Sequence, residues 1–435
     1  MHTTVFEYGY LTFEKAACDD MGAKLISKSA FEYLKEVCLG TSEHETNQCF
    51  GFLKRYGYEL IQVKNYVGVI LTPSGEHIEI LPKTGRKISK PEEAEIESRE
   101  ILLMMLQHLG SFRHIVTSQA NVSGMQMPLL EVFISEFLQS VNRLVKKGLK
   151  SDYVRQVENL NFHKGKLLLS RQIRHNVVNR HKFYVEYDEY LTNRPANRLI
   201  KTALEKLTRV TKLVTNQKLL QELKFAFVDI PCSKSAKSDF NALKLDRTMQ
   251  DYYEPIDWAK LVLEGVSPLS MKGSHNALSL LFPMEMVFES YVASVLRSQL
   301  NDDVELTTQA RSKHLVTHNG RNGFQLKPDL LITKSDKSMI VLDTKWKLLD
   351  LDAHHYGLSQ ADLYQMFAYG HKYLNGAGEL YLIYPAHECF TKPIEHSFDF
   401  CDSLKLWVVP FELSKVKPQR AHLNASLDLH KLMKV

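Results

Sequence analysis

The chain has 435 residues, 44% hydrophobic and 24% charged, which is ordinary globular composition with length enough for two or three domains. No apolar run reaches the roughly eighteen residues a membrane helix needs, and acids interrupt the opening "MHTTVFEYGYLTFEK" where a signal peptide needs a long apolar stretch. The expectation is a soluble, intracellular (cytoplasmic) protein. Six cysteines, at 18, 38, 49, 232, 389 and 401, form neither C-x-x-C nor zinc-finger spacing and read as reduced and mostly packed thiols.

The first eighty residues read as strand-rich. "YELIQVKNYVGVIL" and "EHIEILPK" are β-branched and separated by the turn signal "TPSG", with Val63, Val67 and Val69 suited to a half-buried sheet. Residues 91–109 predict a helix that starts with proline and acids and carries an apolar stripe through Ile96, Ile101, Leu103 and Leu106. "MPLLEVFISEFLQSVNRLVKKGL" predicts a second, closing with lysines and glycine.

From Arg143 to Lys182 eleven basic residues face only Asp152 and Glu158, on a chain whose net charge is +5. Such a run either attracts phosphates or is a solvated face. "GKLLLSRQIRHNVVNRHKFYVEYDEY" reads as mixed strands and turns. A helical region begins at "NRPANRLIKTALEKLTRVT", with "KSAKSDFNALK" a polar loop inside it. The Pro, Gly and Ser punctuation of "EGVSPLSMKGSHNA", residues 264–277, marks a boundary. The organisation expected is a β-rich and helical partner-docking domain over 1–160, a mostly helical middle over 161–270 and a last domain over 271–435.

That last domain is predicted as a helix "FPMEMVFESYVASVLRSQL", strands "KPDLLIT" and "SMIVLDTKW", a helix "SQADLYQMFAYGHKYL", then strands "GELYLIYPA" and "LKLWVVPFEL". Helices around a mixed sheet give an α/β fold class. Lys334 to Ser338 is a polar turn, so the first two strands should form a hairpin that sets Asp329 beside Asp343. Asp343 and Lys345, two apart, share a face. Two adjacent carboxylates repel unless a cation neutralises them. Mg2+ is the natural one, because it takes one or two carboxylates and completes its shell with water and phosphate oxygens. With a lysine on the same face, the arrangement suits phosphodiester hydrolysis. Gln365 and Tyr369, four apart on a helix, share a face that could hold a phosphate or a metal-bound water. Glu289 breaks the apolar stripe of Phe288, Val292 and Val295 and is a candidate third carboxylate. Each feature has a plainer reading: charges that cap strand ends, an ordinary helix surface, a solvated glutamate. Glu222-Leu223-Lys224 also spells D/E-x-K, but within a helical pattern.

Together these residues resemble the PD-(D/E)xK nuclease superfamily, and Gln365 and Tyr369 resemble the Q-x3-Y motif of its RecB-like branch. The chain is similar more specifically to the McrC family, the nuclease subunit of McrBC-type restriction systems. The stretches that carry this are "NYVGVI", "IEILPK", "KGKLLLSRQIRHN", "FYVEYDEY", "MVFESYV", "KPDLLI", "VLDTKWK" and "DLYQMFAYGHKY", in family order from about residue 60 to 385. The resemblance implies a restriction-endonuclease-like C-terminal domain with Asp329 and Asp343 as metal ligands, Glu289 as a further one and Lys345 as the catalytic lysine. It also implies DNA as substrate and an McrB-like AAA+ GTPase hexamer as partner, whose GTP hydrolysis the subunit stimulates and whose stalling triggers the cut. The chain has no G-x-x-x-x-G-K-[ST] loop, so nucleotide hydrolysis falls to the partner. Two alternatives stand beside this reading: a stand-alone RecB-like repair nuclease, and a non-catalytic activator of an AAA+ partner.

Overall fold

The computed structural model describes residues 2–39, 49–84, 91–109, 127–264, 279–301 and 303–413. The expected boundary at 264–277, apart from Glu264 at the end of a helix, and the tail after Leu413 therefore lie outside the described residues. The chain forms a mixed α/β structure with two compact units. One is Met1–Val69, Glu76–Gln126 and Leu281–Val435. The other is Ile70–Gly75 and Met127–Leu280.

The first unit holds the predicted strands of the last domain in a six-stranded mixed sheet. Its order is Glu305–Thr308, Leu330–Thr333, Met339–Thr344, Gly378–Pro385, Leu404–Phe411, Phe398–Cys401. The hairpin forms as expected: Leu330 pairs with Leu342 in antiparallel register, and the turn closes with Lys334 N–H donating to Ser338 O at 2.9 Å. The Met339–Thr344 strand then pairs in parallel with Gly378–Pro385. Parallel neighbours require a long crossover, and the Gln360–Tyr373 helix lies within it. That helix packs on one sheet face through Met366, Tyr369 and Tyr373 against Val341, Leu380, Leu382 and Leu404. Gly370 is its point of closest approach, since a Cβ there would stand 2.6 Å from Leu404 Cδ2. On the other side the Met284–Gln299 helix carries Phe288 against Trp346 and Phe411, with ring centroids 5.3 and 6.3 Å apart.

The chain's N-terminal strands supply two further sheets. One runs His2–Phe6, His77–Leu81, Tyr66–Leu71, Ser279–Pro283 and the other Lys24–Leu25, Tyr10–Thr12, Tyr58–Val63, Phe50–Arg55. Val67 and Val69 lie on a strand buried on both faces, not the half-buried one expected. The predicted helix appears as Pro91–Leu106, but Ile96 in its expected apolar stripe is exposed, while Leu102, Leu103, Met105 and Leu106 are buried.

In the second unit four helices, Leu129–Lys147, Pro195–Leu207, Val214–Ala226 and Tyr253–Glu264, bury Phe133, Phe137, Leu199, Leu204 and Trp258. Buried Glu131 receives hydrogen bonds from Thr211 Oγ1 (2.7 Å), Lys212 N (2.6 Å) and Asn216 Nδ2 (2.9 Å), satisfying donors at the start of the third helix. A three-stranded sheet, Asp152–Leu160, Phe183–Leu191 and Lys166–Leu167, completes the unit. Two expectations change here. "LSRQIRH" is a short helix, Leu169–His175, and the polar "KSAKSDFNALK" contains the helix Ala236–Ala242, capped by Ser235. The basic stretch also finds acids from elsewhere in the sequence. Arg143 pairs with Glu254, Lys147 with Asp251, Arg155 with Glu186 and Asp188, and Lys164 with Glu189.

Candidate active site

The DTK strand ends beside the PD strand, and its register sets Asp343 across from Asp329. Side chains alternate along a strand, so Asp343 and Lys345 share the face of Val341, which packs toward the Gln360–Tyr373 helix. Asp343 is 1% exposed, and its Oδ2 lies 2.7 Å from Lys345 Nζ. A buried carboxylate needs such a partner.

Asp329 Oδ2 accepts two hydrogen bonds from Thr344, one from the backbone N–H (2.8 Å) and one from Oγ1 (2.7 Å). Glu289, on the Met284–Gln299 helix, reaches the pair through Gln309. The Gln309 amide donates to Glu289 Oε1 at 2.6 Å and lies 3.5 Å from Asp329 Oδ1, and its backbone N–H donates to Asp329 O at 2.8 Å.

Lys345 Nζ donates to Gln365 Oε1 at 3.0 Å and stands 3.7 Å from Asp362 Oδ1 in the first turn of the same helix. Gln365 Nε2 donates to Tyr369 Oη (2.7 Å), and Tyr369 donates to Lys327 O (2.9 Å). The shared face read for Gln365 and Tyr369 is therefore a hydrogen-bonded relay. It orients Lys345 at one end and holds the residues just before Asp329 at the other.

Burial, reinforced by the charge on Asp329, pushes the Glu289 carboxyl up to about 7 against the pull of Gln309. Asp343 is raised for the same two reasons, against Lys345. Burial raises Asp329 too, opposed by the Thr344 hydrogen bonds. Desolvation alone would lower Lys345, but Asp343 and Asp362 outweigh it and hold the ammonium above its usual value. Tyr369 is pushed by burial to about 12 and serves as a donor.

All six residues singled out from the sequence, Glu289, Asp329, Asp343, Lys345, Gln365 and Tyr369, thus lie in one hydrogen-bonded and ionic cluster. Sequence reading missed Gln309, Thr344 and Asp362. Thr344 sits inside the DTK motif and could have been found there; nothing in the local sequence marks Gln309. The competing Glu222-Leu223-Lys224 lies in a helix, with Lys224 paired to Glu205 at 2.8 Å.

Among the described residues no three His, Cys, Asp or Glu side chains already close around an ion. The donors that are present still suit Mg2+. Two opposed carboxylates, both driven toward protonation by burial, sit with a single lysine and a third acid behind them. A hard divalent cation relieves that repulsion while taking one or two protein oxygens.

The family model described as "McrBC 5-methylcytosine restriction system component" matches residues 61–385. No curated protein sequence matches the chain. Two solved structures are similar. The first is the refined half-complex from the tetradecameric assembly of Thermococcus gammatolerans McrB AAA+ hexamers with bound McrC. There the identity is 21%, 99% of this chain and 98% of that chain are covered, and the TM-score is 0.69. The second is the cryo-EM structure of the Thermococcus gammatolerans McrBC complex, at 24% identity over 68% of this chain and 87% of that one, with a TM-score of 0.49.

Proposed function

The chain belongs to the family of McrBC 5-methylcytosine restriction system components, and from that premise we propose that it is an McrC-type subunit: a Mg2+-dependent endodeoxyribonuclease driven by an McrB-like AAA+ GTPase. The observation that carries the reading is the opposed Asp329 and Asp343 at the end of a hairpin, with Lys345 ion-paired to Asp343. Its domain is of the PD-(D/E)xK type.

Asp329 and Asp343 would hold the metal, with Glu289 behind them. When bound, Mg2+ would supply Lewis-acid polarisation of a phosphoryl oxygen and activation of the attacking water. The chain's own groups do the rest. Thr344 donates twice to one Asp329 oxygen and so opposes the upward push of burial on that carboxyl. Gln365 aims the Lys345 ammonium, which offsets the negative charge that builds on phosphorus during attack. Gln309 holds Glu289 facing Asp329.

The partner reading has two supports: the sequence lacks a phosphate-binding P-loop, and the similar solved assembly has McrC bound to McrB AAA+ hexamers.

The test is cleavage of supercoiled plasmid, with and without methylcytosine, by wild-type protein and Asp343→Ala. It is run with Mg2+, in the presence and absence of GTP and an McrB-like AAA+ protein. Cleavage that needs the partner and vanishes in the variant is expected, with partner binding and GTPase stimulation unchanged. A variant that cuts at the wild-type rate overturns the reading. Cutting by the chain alone favours a stand-alone nuclease. GTPase stimulation with no cutting by wild type leaves an activator.

A further inference from the structure

Between Gln309 and Asp329 the chain leaves the six-stranded sheet and forms a separate two-stranded ribbon, Lys313–His318 with Arg321–Leu326. Asn319 and Gly320 form its tip with φ of +49° and +73°, the left-handed pair that a two-residue hairpin turn requires. The ribbon is exposed along nearly its whole length, and Phe324 near its middle is 77% exposed.

Its charge has one sign. Residues 311–327 carry Arg311, Lys313, Arg321 and Lys327 and no Asp or Glu. All four cations are exposed, and among the described residues none forms an ion pair. By contrast, four cations of the second unit, Arg143, Lys147, Arg155 and Lys164, each find an acid. Unpaired like charges on a two-stranded ribbon add nothing to its stability, because such a ribbon is marginal by itself.

What holds the ribbon is its root. Tyr373 Oη lies 3.1 Å from Ala310 O and 3.2 Å from Leu326 O, and Tyr369 donates to Lys327 O. Gln309, at φ +50°, joins the same root to Glu289 and Asp329. The arm is therefore fixed to the candidate active site at one end and open to solvent over the rest.

We infer that this ribbon is a duplex-DNA-binding arm that seats the substrate against Asp329, Asp343 and Lys345. The inference rests on the nuclease reading for what the arm serves, but DNA binding by the arm is measurable without cleavage. Duplex DNA is favoured over a protein partner for two reasons. Four exposed cations with no acid among them match a phosphate backbone. A two-stranded β-ribbon also fits the major groove, and Thr317, Asn322 and Gln325 bring short polar groups to it.

The experiment is fluorescence anisotropy of a labelled duplex with the full chain in EDTA, from about 50 to 200 mM salt, a range over which phosphate-driven binding falls by decades. Lys313→Ala/Arg321→Ala is compared with wild type and with the charge-conserving Lys313→Arg/Arg321→Lys. Each lost phosphate contact reduces the salt slope by about 0.9, so the double alanine variant should lose about 1.8. Its affinity near 0.1 M salt should fall on the order of fifty-fold. The charge-conserving variant should stay near wild type, which separates charge from folding. In the assembled complex, photoreactive benzoylphenylalanine in place of Phe324 should crosslink to DNA.

Undetectable DNA binding by wild type, or an unchanged salt slope in the double alanine variant, overturns the arm. So does crosslinking of position 324 to the AAA+ protein instead of DNA. Arm-dependent binding without any cleavage keeps the arm and sinks the nuclease reading. Cleavage with indifferent arm variants does the reverse.

Discussion

Replacing Thr344 with valine removes one hydrogen bond and nearly nothing else. The side chains are almost isosteric, and the backbone N–H at 2.8 Å remains on Asp329 Oδ2 while the 2.7 Å bond from Oγ1 is lost. A hydrogen bond to a charged group contributes about 1.5–3 kcal/mol. At about 1.4 kcal/mol per tenfold, its loss should weaken Mg2+ binding by roughly 10- to 100-fold, the usual range for groups that support metal ligands. The assay is plasmid cleavage by the partner-bound complex across a Mg2+ titration. Thr344→Val should shift half-saturation upward by one to two decades while recovering most of its rate at saturating metal, and Thr344→Ser should stay near wild type. Valine and wild-type curves that superimpose would show that Thr344 does not tune a metal ligand.

Three further outcomes follow from the geometry. Lys345→Met removes the ammonium from Asp343 and Gln365; cleavage should drop at least ~100-fold, as for loss of one preorganised donor, with GTPase stimulation of the partner intact in a coupled assay. Gly370→Ala places a Cβ within 3.0–3.1 Å or less of Leu404 and Leu380, both fully buried. It should cost about 1–3 kcal/mol by overpacking and lower cleavage by displacing Gln365, read as a fall in thermal midpoint together with rate. Glu136 is buried and its carboxyl is raised to about 7, by desolvation first and Glu254 second, against Arg143. The folded chain then holds more protons than the unfolded chain between about pH 4.5 and 7, so stability should fall as pH rises through that window and level off above it. Glu136→Gln should flatten this dependence in thermal melts at successive pH values.

The hairpin was legible because its signals are local. Two aliphatic runs, a polar turn and period-two alternation fix which residues oppose each other, so Asp329 and Asp343 could be paired from the letters alone. The Gln365–Tyr369 relay was legible as helical spacing, though not its direction toward Lys345. The Asn319-Gly320 turn is an equally local signal that the reading passed over, because the flanking strands are polar and resemble no buried strand. Gln309 was illegible for a different reason. A glutamine in a left-handed conformation between strands acquires its role only from Glu289, twenty residues earlier, and Asp329, twenty later. The partners of Arg143 and Lys147 were illegible in the same way, since Glu254 and Asp251 lie about a hundred residues beyond them.

The longest-range contact bears on the lysine itself. Glu7 is fully buried and accepts the Trp346 indole N–H at 2.9 and 3.2 Å, across 339 positions of sequence. Lys83 N–H donates to the same carboxylate at 2.9 Å, and its ammonium donates to Trp346 O at 2.7 Å. Trp346 follows Lys345 directly, so Glu7, the residue after the chain's first strand, helps fix the backbone that aims the Lys345 ammonium. A buried carboxylate demands its donors, and Trp346→Phe removes one. The loss, about 1.5–3 kcal/mol, should appear as local opening, because a chain with two compact units need not unfold in one step. Hydrogen exchange at residues 339–346, including the Lys345 N–H bound to Ile383 O, should quicken about 10- to 150-fold, a factor of ten for each 1.4 kcal/mol. Exchange in the Pro195–Leu207 helix of the other unit should not change. Equal protection of residues 339–346 in both proteins would mean that the sheet alone holds Lys345 in place, and that the N-terminal strand is a bystander to the site.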